Sequence, residues 1–460
     1  MRVRFRAIVA DLADQIHRGA LPPGTRLPTE RALATELGVN RSTVTEAFAE
    51  LEAHGLVERR QGSGTFVRGD LWGVAPDWQR YINGGAFHPT APLLQRIRAA
   101  RRNPGIVDLS AGVADPALLP TALVQELVQS LTVPDLGYPH PMGELRLREA
   151  ITHLLQHEHG ITADPESILI TTGAQQALYL ITRALLSPGD AVGIEQPSYC
   201  YSLSLFQSAG VRLLPLPVDQ DGVDPGLLQS LYQRNRLRMV LVNPTCQNPT
   251  GTVLPEPRRR QLLAVCRSLN IPVVEDDTYG LLHLDGAAPP PLKALDREGR
   301  VLYLGTLSKT TAPGLRLGWL TGPKPVIERL ADVKQQMDIG TNALAQWVAA
   351  ELLESAGWRS HLAAMRAELK RRRDHFAARL QTIFGDGMGF RLPVGGLNLW
   401  ARWDHPGDDR QRLEAAIQAG VLVAPGRLYG AQDGWVRLTF ALVGRAATDE
   451  ALQRLRKAGA

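Results

Sequence analysis

A lysine surrounded by phosphate-binding side chains stands in the second half of the chain. The lysine is Lys309, and the neighbouring donors are Thr306, Ser308 and Arg316. Residues 301–305 and 317–320 are apolar and predict two short strands, so we expect Lys309 on the loop between them, where it can face a ligand. An amine beside such donors suits an aldehyde that carries a phosphate, because the two can form an imine. The pattern makes pyridoxal 5′-phosphate the candidate cofactor.

Residues upstream supply partners for the ring of such a cofactor. Residues 271–276 form an apolar run that ends in acid, which predicts a buried parallel strand carrying Asp276 at its carboxyl end. A carboxylate there can pair with a protonated pyridine nitrogen and so keep the ring an electron sink. Asn248 and Tyr279 could hydrogen-bond a ring phenolate oxygen, and Tyr199 can offer a flat face to the ring.

A second phosphate-binding element lies at residues 172–177. A predicted strand, 168–171, leads here into a helix that opens with Gly173, Ala174 and Gln175. Free backbone amides and the positive end of the helix dipole would therefore face a phosphate. A Ser-Lys pair alone is more often a solvated turn, so the prediction depends on the whole set of residues.

From about residue 107 onward, the chain resembles the fold-type I aminotransferases, which implies an α/β fold with a large, mainly parallel-sheet lobe and a small α+β lobe. The resemblance implies Lys309 as the Schiff-base lysine, Asp276 as the pyridinium partner and Tyr279 as a third catalytic residue. It implies further cofactor contacts from Asn248, Tyr199, Gly173, Ala174, Gln175, Thr306, Ser308 and Arg316.

Two more residues take roles from this resemblance alone. Tyr138, within 138–143, matches a tyrosine that reaches the cofactor phosphate of the neighbouring subunit. Arg437, within 435–441, matches the arginine that clamps a substrate α-carboxylate, with Asn248 beside it. A structural salt bridge is the competing interpretation of Arg437, because a buried guanidinium without a partner is unfavourable.

The first 69 residues predict a winged helix-turn-helix. Apolar residues recur at helical spacing in three segments, and the short turn 38–40 joins the second helix to the third. The third helix opens with short polar residues that suit contacts with base edges and phosphates: Asn40, Arg41, Ser42, Thr43 and Thr45. Residues 56–60 and 64–67 alternate in polarity around 61–64, which predicts a hairpin, the wing.

This unit resembles the winged helix-turn-helix of GntR regulators through residues 22–34, 39–44 and 62–67. The resemblance implies DNA contacts from Arg31, Arg41, Ser42, Thr43 and the wing at Gly62. The alternative is a small helical appendage that binds nothing.

Composition sets limits on the class of protein. With 460 residues, 44% of them hydrophobic and 21% charged, the chain predicts an ordinary soluble protein of two or more domains. It has no apolar run near the roughly 20 residues of a membrane span and no signal-peptide core, so we expect a cytoplasmic protein without a membrane partner. Its cysteines, Cys200, Cys246 and Cys266, lack metal-ligand spacing, which predicts no metal site.

Two other segments carry arginines that could bind DNA. Residues 70–105 are rich in proline and glycine and predict a linker, whose aromatic residues suggest that it docks on a neighbouring surface. Its arginines, and the run 370–373, are interpreted as solvated helix faces rather than as nucleic-acid patches.

A winged helix followed by a fold-type I module resembles the MocR branch of the GntR family. The predicted domains are 1–69 for DNA binding, 70–105 as linker and 106–460 as the cofactor-binding effector domain, with its small lobe mainly at 330–460. The resemblance implies a head-to-tail homodimer that binds an operator and senses pyridoxal phosphate or an amino acid-type effector through aldimine chemistry. A working aminotransferase that keeps a DNA-binding domain is the alternative. A DNA-tethering protein with an inactive cofactor module is disfavoured because Asp276 and Lys309 are both present.

Overall fold

A computed structural model describes residues 2–69, 84–132 and 137–458 of the chain. The chain divides into two compact units, Met1–Ala86 and Phe87–Ala460. Residues 70–83 of the predicted linker lie outside the described residues. Within the described ranges, no helix combines the length and apolar character needed to cross a membrane.

Helices and one hairpin build the first unit. They are α1 (Arg2–His17), α2 (Glu30–Leu37), α3 (Arg41–Ala53), β1 (Val57–Arg60) and β2 (Gly64–Val67). Thr29 caps α2 by accepting a hydrogen bond from the Ala32 amide, and Gly38 ends it in the left-handed conformation (φ 61°). The buried faces of α1 and α3 meet through Ile16, Val44 and Phe48. The predicted hairpin is confirmed, since β1 and β2 pair antiparallel.

A mixed sheet forms the large lobe of the second unit. Its strands are β4 (Ile168–Thr171), β5 (Ala191–Gln196), β6 (Arg212–Asp219), β7 (Gly222–Val223), β8 (Leu237–Val242), β9 (Val273–Asp276), β10 (Val301–Thr306) and β11 (Gly318–Thr321). The order is β4-β11-β10-β9-β8-β5-β6-β7, and β6, β5, β8, β9 and β10 run parallel. Five neighbouring strands therefore end at the same edge of the sheet.

Helices cover both faces of this sheet. The other elements of the second unit before residue 343 are α4 (Pro92–Ala100), β3 (Val107–Asp108), α5 (Thr121–Ser130), α6 (Leu145–His159), α7 (Ala174–Leu185), α8 (Leu205–Ser208), α9 (Leu227–Asn235), α10 (Glu256–Ser268), α11 (Leu292–Leu295) and α12 (Lys324–Asp338). Val274 of β9 packs with Ile181 of α7, whereas its neighbour Val273 packs with Leu262 of α10. The alternation along β9 thus buries both faces of this strand, as its apolar sequence predicted.

The small lobe is built on an antiparallel sheet with the order β12-β13-β16-β15. The elements from residue 343 onward are α13 (Ala343–Glu354), α14 (Ala356–Phe384), β12 (Met388–Phe390), β13 (Asn398–Trp403), α15 (Asp409–Gln418), β14 (Val421–Leu422), β15 (Ala424–Pro425), β16 (Trp435–Thr439) and α16 (Arg445–Ala458). Helix α4, inside the range predicted as linker, buries Ile97 and Ala100 in the same core.

Two residues of the run 370–373, which the sequence analysis interpreted as a solvated helix face, are buried. Arg372 and Arg373 are buried, and each pairs with an acid from a distant segment. Arg372 contacts Asp115 at 2.9 Å, and Arg373 pairs with Asp285. The solvated interpretation is therefore wrong for these two residues, because their charges are neutralised inside the fold.

Candidate functional site

A cavity of about 790 Å³ opens at the edge of the sheet where the parallel strands end. Most residues predicted from the sequence to bind the cofactor or effector line it. They are Gly173, Ala174, Gln175, Tyr199, Asn248, Asp276, Tyr279, Thr306, Ser308, Lys309, Arg316 and Arg437. Tyr138 is not among the lining residues and is 85% exposed. Its expected role toward a second subunit stays a prediction.

Strand order explains why these distant residues meet. Asp276 is the last residue of β9 and pairs in register with Leu304 of the neighbouring β10. The loop after β10 carries Lys309, and the loop after β8 carries Asn248. Parallel strands that end together thus deliver an amine, a carboxylate and an amide to one place.

Lys309 has an environment that favours its neutral form. Its Nζ donates a hydrogen bond to the backbone oxygen of Gly112 at 2.8 Å. Burial, followed by the positive charge of Arg437, lowers its pKa to about 8, although Asp276 acts in the opposite direction. A neutral amine is the nucleophile that reacts with an aldehyde.

Asp276 is held by its own turn. Its Oδ1 accepts hydrogen bonds from the backbone amide and the hydroxyl of Thr278, at 3.1 and 2.5 Å. Burial raises the pKa of Asp276, while both hydrogen bonds from Thr278 lower it. The backbone oxygen of Asp276 accepts from the side-chain amide of Asn243. The carboxylate is therefore fixed in position inside the cavity.

An anion-binding cradle lies at the start of α7. Gly173 precedes the helix with φ 107°, and a Cβ added to it would come within 2.9 Å of Arg316 Nη2. Arg316 donates from Nη2 to the backbone oxygen of Thr172 at 2.7 Å. Thr306 Oγ1 lies 3.0 Å from Ser308 Oγ. Helix amides, a guanidinium and hydroxyls thus surround a space that suits a phosphate.

Arg437 is buried, and no carboxylate in the described part of the chain pairs with it. It is 6% exposed, donates to Asn248 Oδ1 at 2.9 Å and to the backbone oxygen of Ser110 at 2.7 Å, and lies over the Tyr429 ring. Among the described residues, its Nε finds no acceptor and no carboxylate pairs with it. An internal salt bridge, the competing interpretation, is therefore not formed within this part of the chain. A buried guanidinium in this state suits an incoming anion.

These observations test whether the residues fit pyridoxal phosphate. The cradle at Gly173 suits the phosphate, the amine of Lys309 suits the aldehyde, and the carboxylate of Asp276 suits the pyridine nitrogen. Tyr199 adds an aromatic side chain to the wall of the cavity. Burial raises the pKa of Tyr279 to about 12, so its hydroxyl keeps its proton and remains a donor. The residues fit the group.

The sequence interpretation missed the contacts that orient Lys309 and Arg437. Ser110 and Gly112 provide backbone oxygens from the segment after β3. Backbone acceptors carry no side-chain signal, so the only indication in the sequence was a serine and a glycine after a short apolar run.

The candidate DNA-binding residues lie in α2, at the start of α3 and in the turn of the hairpin. Arg31, Asn40, Arg41, Ser42 and Gly62 are exposed, and Thr45 is half-buried. Thr43 corrects the prediction, because its side chain is only 5% exposed and belongs to the buried face of α3.

A carboxylate that the sequence interpretation overlooked organises this surface. Glu30 Oε2 accepts from Arg41 Nε and Nη2, both at 3.3 Å, and from Thr45 Oγ1 at 2.9 Å. Arg59 of the wing lies 3.9 Å from the other oxygen. One acid therefore connects α3 with the wing.

The fold and the cavity define a protein that joins a DNA-binding unit to an aminotransferase-like unit. Residues 104–455 match the family of class I and II aminotransferases, and residues 5–67 match the bacterial regulatory proteins of the gntR family. The chain belongs to these families and, by their combination, to the MocR type of GntR regulators.

Individual relatives represent both halves. The uncharacterized HTH-type transcriptional regulator YisV of Bacillus subtilis is 40% identical over 95% of this chain and 91% of that protein. The aromatic-amino-acid aminotransferase 1 of Thermococcus litoralis is 30% identical over 82% of this chain and 94% of that protein. A kynurenine aminotransferase structure from Pyrococcus horikoshii superposes with a TM-score of 0.78 and 31% identity, covering 83% of this chain and 98% of that one.

Proposed function

We propose that this protein is a cytoplasmic transcriptional regulator that binds operator DNA through its first unit and holds pyridoxal phosphate in its second. An amino acid-type effector would then act at the cofactor. The observation that carries this proposal is the buried Arg437, which has no negative partner among the described residues and lies in the same cavity as Lys309. A regulator that bound the cofactor alone would have little use for this guanidinium.

Each residue has a distinct task in this proposal. The bound cofactor supplies an aldehyde that condenses reversibly with amines. Lys309 presents the protein's own amine, and Asp276 holds a proton on the pyridine nitrogen. Tyr279 and Asn248 donate toward the ring oxygen. The cradle at Gly173 and Arg316 holds the phosphate.

The effector is an amino-carboxylate. Its amine competes with Lys309 for the cofactor, and Arg437 binds its carboxylate bidentately. Arg437 must then exchange its contacts with Asn248 and Ser110 for contacts with the ligand. This exchange distinguishes the two states, so the effector can shift the equilibrium between them.

On the DNA side, we propose a head-to-tail homodimer that reads two half-sites. Arg41 and Ser42 meet base edges or phosphates, while Arg31 and the wing at Gly62 hold the backbone. A symmetric dimer requires a repeated sequence, so a single half-site should bind the full-length protein less tightly. Tyr138 of each chain is free to reach the neighbouring subunit in such a dimer.

Footprinting of the operator tests this function. It should be performed with and without pyridoxal phosphate and with a panel of amino acids. The variant Lys309→Ala should lose the visible absorption band and the borohydride-trapped adduct of the cofactor. Persistence of that adduct would refute the role of Lys309.

A second variant tests the effector class. Arg437→Met should retain the cofactor but lose most of the response of DNA binding to the amino acid. The matched control is Arg402→Met, because Arg402 lies on the same small-lobe sheet and is exposed. An unchanged response in Arg437→Met, with the cofactor bound, would contradict the carboxylate proposal.

Catalytic turnover is the second candidate function. The complete set of Lys309, Asp276 and Arg437 in one cavity favours it, as does the similarity to proteins named as aminotransferases. Formation of keto acid over many turnovers would support an enzyme. A single reversible spectral change with effector-dependent DNA binding would support the regulator.

A further inference from the structure

The charges that line the cavity do not balance. Among the described residues, the lining cations other than histidine are Arg98, Arg101, Lys309, Arg316 and Arg437. Asp276 is the one lining carboxylate in the same set. Positive charge in a partly enclosed space favours anionic ligands, because burial reduces the screening by water.

The proposed ligands account for most of this excess. Arg316 contributes to the phosphate cradle, and Arg437 faces the α-carboxylate of the effector. Lys309 is easily neutralised, since its pKa lies near 8. Arg98 of α4 and Arg101, which follows the helix, then remain to be explained.

Arg98, in helix α4, and Arg101, the residue that follows the helix, both line the cavity and are exposed at its wall. Leu94, Arg98 and Arg101 share one helical face, at spacings of four and three residues, and all three line the cavity. The neighbouring Arg96 points elsewhere and forms a bidentate pair with Glu414 at 2.6 Å. The helical period thus places Arg98 and Arg101 along the cavity and Arg96 on another face of the helix.

The two arginines have different partners. Arg101 Nε contacts Asp108 Oδ2 at 2.6 Å and Arg101 Nη2 contacts Ser110 Oγ at 3.1 Å, so its charge is already paired. Arg98 has only a long contact to Thr90 Oγ1, at 3.4 Å, within the described residues. Arg98 is therefore the cation of this cavity that the described chain and the proposed ligands leave unpaired.

The two arginine sites belong to one ligand space. Ser110 links them, because its backbone oxygen accepts from Arg437 and its hydroxyl accepts from Arg101. Arg98 lies one helical turn before Arg101. A ligand whose carboxylate occupies Arg437 would extend its side chain along this wall of the cavity.

We propose that Arg98 binds a second anionic group, so that the effector is an amino acid with an acidic side chain. This inference rests on the proposed function, because it assumes that Arg437 holds the α-carboxylate. Arg101, whose charge is paired with Asp108, lies beside this site and leaves the second anionic group to Arg98. The segment 87–101 thus selects the effector, and the cofactor site remains common to the family.

A binding titration tests this proposal on the full-length protein loaded with pyridoxal phosphate. Glutamate and aspartate are compared with glutamine and asparagine, which have nearly the same shape but no side-chain charge. Binding is followed by calorimetry and by the visible absorbance of the cofactor. We expect the acids to bind at least about tenfold more tightly than their amides, since hydrogen bonds to charged groups contribute on this scale.

The variant Arg98→Gln should remove this preference without loss of cofactor, and Arg98→Lys should restore part of it as a point charge. The matched control is Arg102→Gln, because Arg102 is exposed nearby and does not line the cavity. It should bind as the unaltered protein does. Arg437→Met should weaken acids and amides alike.

Several outcomes would overturn the proposal. Equal or tighter binding of the amides would refute the acidic effector and leave the amino-carboxylate function intact. A preference for acids that survives in Arg98→Gln would assign the second anion to another residue. Loss of cofactor from Arg98→Gln would place Arg98 in the phosphate site. Absence of any amino acid binding would refute the proposed function itself, together with this inference.

Discussion

The lowered pKa of Lys309 leads to a prediction that needs no operator and no effector. Its value of about 8, compared with an ordinary value of 10.5, corresponds to roughly 300-fold more neutral amine at pH 7. Reductive methylation of the cofactor-free protein measures this fraction. The rate at Lys309, followed by peptide mass spectrometry across a pH series, should rise with a midpoint near pH 8.

Two substitutions should move this midpoint in opposite directions. Arg437 destabilises the charged amine, so Arg437→Met should raise the pKa of Lys309 and shift the profile to higher pH. Asp276 stabilises the charged amine, so Asp276→Asn should lower the pKa and shift the profile to lower pH. Because burial is the largest cause, neither variant should restore the ordinary value.

The result that would refute this reasoning is equally specific. A midpoint near 10.5 in the unaltered protein would mean that the amine is solvated and that the cavity does not control it. Shifts of the same sign in both variants would show that packing changes, rather than charges, determine the profile. Arg402→Met is the control and should leave the midpoint in place.

Four further predictions address the cradle and the DNA-binding unit. Gly173→Ala should weaken cofactor binding, because the new Cβ would approach Arg316 and the backbone has φ 107°. Equilibrium dialysis measures the affinity for the cofactor. An unchanged affinity would mean that the phosphate does not fit closely against Gly173. Phe48→Ala should lower the free energy of unfolding of the first unit by about 3–5 kcal/mol in urea titrations, since Phe48 is buried; a loss below about 1 kcal/mol would contradict its place in the core. Arg41→Ala should cost about 1–3 kcal/mol at the cognate operator and relax specificity. Glu30→Gln removes both an anchor of Arg41 and a negative charge. It should therefore raise the affinity for random DNA and reduce the preference for cognate over random DNA. Equal gains in affinity for both DNAs, measured by fluorescence titration, would show that Glu30 does not position Arg41.

Much of the candidate site could be predicted from the sequence because its signals are local. An apolar run that ends in a polar residue predicts both a buried strand and the edge at which its last side chain lies. Asp276 at the end of β9 and Gly173, two residues after β4, are of this kind. Parallel strands end at one edge, so separate runs predict a common site without knowledge of the packing.

The sequence by itself thus determined the two kinds of unit and the side chains gathered around Lys309. Only the tertiary structure decided which charges are paired. Arg372 meets Asp115 across a separation of 257 residues, whereas Arg437 meets only neutral acceptors in the described chain. The helical spacing of apolar residues also could not show that Thr43 is buried or that Arg98 lines the cavity. The physical reason is that periodicity reports the polarity of a face, whereas pairing depends on which distant segment packs against it.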